Sequence, residues 1–191
     1  MKEPILEPLL RKMRLAQVLP FLKKYPNCRL LDIGCGWEAK FLKAAEKYID
    51  TGIGVDLNAP IISNKKIKTI SMRLDKKLPF ENGVFDFITM LAVMEHLEDD
   101  ESILNECSRL LRPGGGLLIT VPSWYAKPVL EFMSFKLNLI NSDEIKDHKR
   151  YYDRKELFHL FSKVKGLEII RHSYFQCRFN NRIFAIRKSK D

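Results

Sequence analysis

Two glycines and two aspartates near the start of the chain have the types and spacing of a nucleotide-binding turn. The stretch LLDIGCGWEA, residues 30–39, runs from apolar residues into Asp32 and then into Gly34 and Gly36. Its segment GCGWEA fits the pattern G-x-G-x-x-A, and Asp56 follows 22 residues after Gly34 at the end of the next apolar run. An acid at this distance binds a ribose in such sites. The pattern therefore predicts a nucleotide-like ligand without naming it.

The charge of Asp32 separates the candidate ligands. A dinucleotide would place its pyrophosphate at the turn, where Asp32 and Glu38 would repel it. Each like-charge contact at ~4 Å costs about 1 kcal/mol in water and roughly 4 kcal/mol at an effective dielectric near 20. S-adenosylmethionine instead carries a sulfonium and an ammonium beside its adenosine, so the interaction becomes attractive. We predict this ligand, and a nicotinamide dinucleotide is the alternative.

Alternating strands and helices must position these residues. Apolar runs without regular alternation are typical of parallel strands that are covered on both faces. A strand, a glycine turn and a helix at 37–49 open the chain as in a doubly wound α/β fold, and a helix follows residue 98. The last two runs, separated by Asn180-Asn181, favour an antiparallel hairpin at one sheet edge. The strands are predicted at 28–34, 52–57, 66–72, 84–91, 115–121, 167–177 and 182–188.

The length and composition of the chain predict one cytoplasmic domain. The chain has 191 residues, of which 46% are hydrophobic, and it contains no apolar run long enough to span a membrane. Residues 1–26 are interpreted as an N-terminal helical segment that Pro8 and Pro20 should interrupt or kink; peripheral membrane contact by this basic amphipathic stretch is the alternative. The four cysteines have neither disulfide nor metal-ligand spacing, so reduced thiols and no metal site are predicted.

The positive charge is concentrated in the last third of the chain. Residues 124–191 hold 15 Lys/Arg against 8 Asp/Glu, a net charge of +7, whereas residues 1–123 hold 18 against 16, a net charge of +2. A basic surface serves solubility first. The alternatives are an anionic acceptor and RNA, whose phosphates such a segment would bind.

Together, four motifs resemble those of class I S-adenosylmethionine-dependent methyltransferases of the type 11 group. They are LLDIGCG (30–36), GIGVDLN (52–58), LPFENGVFDFITMLAVMEHL (78–97) and RLLRPGGGLLITVPS (109–123), and they occur in the family's order. The resemblance implies a Rossmann-like seven-stranded sheet and a methyl donor bound at its carboxyl edge. Glu38 stands where the family often has a third glycine.

The resemblance also implies the donor-binding residues. The glycine turn would contact the methionine part of the donor, with Asp32 near its ammonium, and Asp56 would accept hydrogen bonds from both ribose hydroxyls. Leu57 and the pair at 74–75 would lie beside the adenine, and the fourth strand would end where donor and acceptor meet. The residues assigned in this way are Asp32, Gly34, Cys35, Gly36, Asp56, Leu57, Leu74, Asp75 and Leu91.

The acceptor is predicted to be a small molecule. The fourth strand ends in neither the Asn/Asp-Pro-Pro-Tyr nor the Pro-Cys motif of nucleic-acid enzymes, which favours a hydroxyl or carbon acceptor. Residues 122–153 are interpreted as a substrate cap, whose basic cluster suits a phosphate-bearing, glycan-linked or lipid-linked molecule. His148 is the candidate general base, since an imidazole accepts protons near neutral pH, and Glu95-His96 is interpreted as structural. The alternatives are an RNA methyltransferase and a non-catalytic protein that binds the donor.

Overall fold

Seven strands form one sheet in the computed structural model, which describes residues 7–74, 77–130 and 148–189. The strands are β1 (Cys28–Ile33), β2 (Ile49–Asp56), β3 (Ile67–Ser71), β4 (Phe85–Leu91), β5 (Leu111–Pro122), β6 (Leu167–Phe175) and β7 (Asn180–Arg187). They lie in the order β3-β2-β1-β4-β5-β7-β6. The first five are parallel, while β7 is antiparallel to both β5 and β6. The predicted mostly parallel sheet with a C-terminal antiparallel hairpin is confirmed.

Helices cover both faces of this sheet. They are α1 (Glu7–Leu22), α2 (Lys40–Ala45), α3 (Asp100–Leu110) and α4 (Arg154–Lys163), with short 3₁₀ turns at Glu46–Tyr48 and Met94–His96. Helices α1 and α2 share one buried cluster with Leu30 and Phe87, while α3 and α4 share another with Leu31 and Ile88. Successive strand residues point to opposite faces, so both faces are apolar. This arrangement is doubly wound, as predicted.

Two local predictions are wrong. The helix expected from Trp37 begins only at Lys40, and the Trp37 side chain is exposed. The reason is the backbone before it, because Gly36 and Ala39 both have positive φ angles, of 71° and 49°, which a continuing right-handed helix excludes. Pro20 does not interrupt α1, which continues to Leu22, because a proline in the last turn of a helix strains the preceding turn but leaves few hydrogen bonds after it to be lost.

The two ends of the predicted cap lie together at the carboxyl end of β5. The Tyr152 amide donates to the Pro122 carbonyl across 3.2 Å, and Ser123 forms an isolated parallel bridge with Tyr152. Residues 131–147 of this segment, and residues 1–6 of the N-terminal segment, lie outside the described residues. Within the described part of the chain, no helix is both long and apolar enough to cross a membrane.

Candidate functional site

The turn after β1 is bound to the end of β2. The amides of Gly34 and Cys35 donate to the Val55 carbonyl, at 2.8 and 3.1 Å, and the Gly36 amide donates to Oδ2 of Asp56 at 3.0 Å. Phosphate-binding turns direct such amides at the ligand instead. These three amides are therefore not available to a pyrophosphate, which agrees with the prediction from charge.

The two glycines of the turn have different roles. Gly34 has a φ of +72°, and a Cβ built on it would lie 2.1 Å from a Val93 methyl carbon, so only glycine allows the segment after β4 to approach the turn. Gly36 has a φ of +71°, but a Cβ there would have no heavy atom within 4 Å. The surface of the turn beside Gly36 is therefore open to a ligand.

Asp32 is a buried carboxylate at the carboxyl edge of the sheet. It is 2% exposed, and its Oδ1 accepts a hydrogen bond from the Thr89 hydroxyl at 2.7 Å. Burial raises its pKa to about 7; the Thr89 hydrogen bond acts in the opposite direction, and the charge of Asp56 raises the pKa further. A cation beside Asp32 would favour its ionised form. Thr89 was not predicted from the sequence, where its only signal is a lone hydroxyl in the apolar run FITML.

Cys35 and Asp56 complete the floor of the site. Burial, followed by the charges of Asp32 and Asp56, raises the pKa of the Cys35 thiol to about 12, and its sulfur lies under Gly54. Cys35 therefore contributes its backbone to the turn and a neutral side chain to the packing. Asp56 accepts from the Gly36 and Asn58 amides, at 3.0 and 2.8 Å, and each carboxylate oxygen has a second lone pair for a hydroxyl donor.

Of the remaining residues predicted to contact the donor, one is exposed, two are half-buried and one lies outside the described residues. Leu57 follows Asp56 and is 64% exposed, whereas Leu91 and Leu74 are half-buried. Leu74 packs against the core cluster of α3 and α4. Asp75 is outside the described residues. The adenine contacts of Leu57, Leu74 and Asp75 stay predictions.

His148 lies beside Glu95 and His96, which follow β4. The His96 and His148 ring centroids are 4.9 Å apart, and one ligand atom from each of the three residues lies within 4.8 Å of the others. Glu95 is buried, and its carbonyl accepts the Lys149 amide at 2.8 Å, which holds the segment after His148 in place. His148 could not be grouped with Glu95 and His96 from the sequence because it lies more than 50 positions after them. They form the triad of Glu95, His96 and His148.

Aromatic side chains surround this triad on the side of β5. The Trp124 and Tyr151 rings are 5.9 Å apart, and the Lys127 ammonium lies 5.7 and 5.9 Å from their centroids. The Tyr151 hydroxyl is 3.3 Å from Nδ1 of His148. Trp124 is 48% exposed whereas Tyr151 is buried, so the Trp124 ring is the part of this pair that is open to a ligand.

Two members of the predicted phosphate-binding cluster are in ion pairs. Lys149 pairs with Glu98 at 3.1 Å, and Arg150 pairs with Asp100 at 2.7 Å. Both acids follow β4, so these pairs fasten the returning end of the cap to the sheet edge. Part of the positive charge that was predicted to bind an anionic acceptor is thus neutralised by acidic side chains of the protein itself.

Comparison with known proteins identifies the same part of the chain. Residues 31–119 match the family model described as a methyltransferase domain. A ubiquinone/menaquinone biosynthesis C-methyltransferase from Rickettsia akari is 27% identical over 154 residues, which cover 70% of this chain and 62% of that protein. A methyltransferase from Strobilurus tenacellus is 34% identical over 101 residues, which cover 50% of this chain but only 36% of that protein. The chain thus spans less than two thirds of the length of these two relatives.

Solved structures share the fold. A methyltransferase from Haloferax volcanii, solved in complex with the Trm112 methyltransferase activator, superposes with a TM-score of 0.73 at 14% identity, covering 94% of this chain and 91% of that one. An S-adenosylmethionine-dependent methyltransferase from Methanosarcina mazei gives a TM-score of 0.65 at 19% identity, covering 90% and 98% of the two chains.

Proposed function

Because the chain belongs to the class I S-adenosylmethionine-dependent methyltransferases, we propose that it transfers a methyl group from S-adenosylmethionine to a hydroxyl or carbon atom of a small amphiphilic molecule. The observation that carries this proposal is the meeting of buried Asp32, open Gly36 and the Asp56 carboxylate at one sheet edge. These residues fit a cationic nucleoside and disfavour a pyrophosphate.

Each of these residues has a distinct role toward the donor. Asp32, in its ionised form, attracts the donor's ammonium in a site of low dielectric constant, where the attraction is strong. Asp56 accepts the ribose hydroxyls with the lone pairs that its two backbone amides leave, and Gly36 lets the methionine part lie against the backbone. Leu57 offers an exposed apolar surface to the adenine.

Transfer requires the acceptor atom to lie in line with the methyl carbon. The sulfonium already activates this carbon, so the protein contributes mainly by positioning the acceptor. The acceptor atom forms its bond to carbon as the carbon–sulfur bond breaks and its electron pair moves to sulfur. A hydroxyl acceptor must also lose its proton. Val93 lies against Gly34, and the triad begins two residues later, which supports proton release from the acceptor at the triad.

The surroundings of the triad favour an amphiphilic acceptor. Trp124 offers an exposed aromatic face to an apolar ring or chain, the buried Tyr151 ring packs beside it, and Lys127 adds one positive charge at its edge. The Rickettsia relative is named for ubiquinone/menaquinone biosynthesis. We therefore place a ring-hydroxylated, isoprenoid-bearing quinone precursor first among acceptors and a polyprenyl phosphate or sugar nucleotide second.

Calorimetry tests the donor half of the proposal. The protein is titrated with S-adenosylmethionine, with its demethylated product S-adenosylhomocysteine, and with a nicotinamide dinucleotide. The first two ligands should bind at micromolar concentrations, and Asp56→Ala should weaken both while the circular dichroism spectrum is unchanged. Binding of the dinucleotide in preference to both sulfur nucleosides would overturn the proposal.

Methyl-labelled donor tests the acceptor half. The protein is incubated with separate pools of isoprenoid-bearing hydroquinones, polyprenyl phosphates, sugar nucleotides and total RNA, and the label is followed into each pool. Transfer to a hydroquinone or a polyprenyl phosphate supports an amphiphilic acceptor. Label confined to RNA would replace it with an RNA methyltransferase, and donor binding without product in any pool or in a whole-cell extract would indicate a non-catalytic protein.

A further inference from the structure

We propose that Glu95, His96 and His148 bind a first-row divalent transition-metal ion beside the methyl-donor site. The proposal starts from the convergence of one carboxylate oxygen and two imidazole nitrogens, all within 4.8 Å of one another. An ion with bonds of about 2.1 Å holds its ligand atoms about 3–4 Å apart. Small rotations of the three side chains would therefore bring their ligand atoms to the spacing that such an ion requires.

The donor set indicates the class of ion. Two imidazoles with one carboxylate are the ligands of Zn²⁺ in catalytic sites and of other first-row divalent ions, whereas Mg²⁺ and Ca²⁺ prefer oxygen alone. Three protein ligands leave coordination positions open for water or for an acceptor oxygen. Buried Glu95 brings the charge that a divalent ion requires into a site of low solvent exposure.

The structure also holds the ligands in position. Glu95 and His96 occupy the 3₁₀ turn after β4, and the Lys149 amide binds the Glu95 carbonyl, so the backbone next to His148 is fixed to that turn. The Tyr151 hydroxyl, 3.3 Å from the His148 ring, is placed to orient it, as groups beyond the ligands do in metal sites. His148 is then a metal ligand rather than the general base that the sequence analysis predicted.

The location of the triad gives the ion a function, and this part of the inference rests on the proposed methyl transfer. Val93 contacts Gly34 of the donor turn, and Glu95, the first residue of the triad, follows two residues later. An acceptor hydroxyl that coordinates the ion has a lowered pKa. It releases its proton to solvent, and the resulting oxygen attacks the methyl carbon while the carbon–sulfur bond electrons pass to sulfur.

Zn²⁺ binding tests the site independently of catalysis. Untagged protein competes with a fluorescent chelator for Zn²⁺, and every variant carries Cys177→Ser because an exposed thiolate also binds this ion. We expect one Zn²⁺ per chain, and we expect His96→Ala, His148→Ala and Glu95→Gln each to weaken binding at least ~10-fold. His159→Ala is the matched control, since His159 is not part of the triad, and should leave binding unchanged.

The folding of each variant is checked by circular dichroism and by its affinity for S-adenosylhomocysteine. His148→Ala keeps the test valid if the buried Glu95→Gln variant does not fold. Zn²⁺ affinity that is equal in the parent, His148→Ala and His96→Ala proteins would overturn the site. Metal binding without methyl transfer would leave the site standing and contradict the proposed function instead.

A second readout separates a metal ligand from a base. Removal of the ion by a chelator should abolish transfer to a hydroxyl acceptor while leaving the affinity for S-adenosylhomocysteine unchanged. Readdition of Zn²⁺, Mn²⁺ or Co²⁺ should restore it with metal-dependent rates. Full activity in chelator, together with loss of activity in His148→Ala, would contradict the catalytic part of this inference and favour the base.

Discussion

Thr89 donates its hydroxyl proton to the buried carboxylate of Asp32 across 2.7 Å. The two residues are directly paired in the parallel register of β1 and β4. Because Thr89 has essentially no exposed surface, this hydrogen bond is part of the core and is present before any ligand binds. It favours the ionised form of Asp32 against burial, which raises the pKa of that carboxyl to about 7. Burial and the Thr89 hydrogen bond therefore determine how much negative charge Asp32 presents to the donor's ammonium.

Donor affinity should consequently depend on pH. The donor's ammonium prefers ionised Asp32, whose population falls below pH 7 because its pKa lies near that value. Affinity for S-adenosylhomocysteine should therefore fall about tenfold between pH 8 and pH 6, as the ionised fraction falls. Calorimetry at intervals of half a pH unit measures this dependence. Asp32→Asn should bind weakly at every pH, and an equally steep dependence in that variant would assign the titration to another group.

The hydroxyl of Thr89 can be removed with a matched control on a neighbouring strand. Thr89→Val deletes a hydrogen bond to a charged group, so the pH dependence of donor binding should move to higher pH, with roughly tenfold weaker binding at pH 7. Thr120 on β5 is equally buried, but its hydroxyl has no hydrogen-bond partner among the described residues. Thr120→Val should leave the pH dependence unchanged and raise the free energy of unfolding by about 1 kcal/mol. Equal shifts in both variants would contradict the assignment to Thr89.

The ligand-free protein should lose stability as the pH rises toward 8. In the unfolded chain Asp32 has an ordinary pKa of 3.8, whereas in the folded protein its pKa is about 7. Between these two pKa values Asp32 holds a proton in the folded protein but has released it in the unfolded chain. The stabilisation of the folded state by this proton is therefore fully present below about pH 4 and is lost by about pH 7. Urea unfolding of the parent and Asp32→Asn at pH 5 and pH 8 measures it. The parent should lose more stability than the variant between the two pH values.

The strands and the glycine turn were predictable because they depend on local sequence. Apolar runs and the glycines at 34 and 36 encode strand and turn directly, and both kinds of prediction agree with the fold. The start of α2 was missed because Ala39 adopts a left-handed conformation that alanine composition does not signal. The triad was missed for a different reason. His148 meets Glu95 only through the return of the cap to the end of β4, which is a tertiary contact without a local pattern.

Gly36 and Gly114 form a natural pair for testing the donor surface. Their φ angles are 71° and 75°, and a Cβ on either would meet no heavy atom within 4 Å. Gly36→Ala and Gly114→Ala should therefore each lower the free energy of unfolding by about 1–2 kcal/mol through backbone strain alone. Only Gly36→Ala should reduce donor affinity, because its methyl group occupies the surface that the donor covers. Equal donor affinities in the two variants would place the donor elsewhere.

Cysteine reactivity tests the burial of the donor turn. Burial raises the pKa of Cys28 to about 11 and that of Cys35 to about 12, and it raises the pKa of Cys107 further still. A thiolate is the reactive form, so these three side chains should resist alkylation in the native protein. Cys177 is exposed. Mass spectrometry after brief treatment with iodoacetamide at pH 8 should show one modified cysteine, at position 177, and all four after denaturation. Rapid native modification of Cys35 would mean that the turn opens away from β2, and the closed geometry on which the donor site depends would then be wrong.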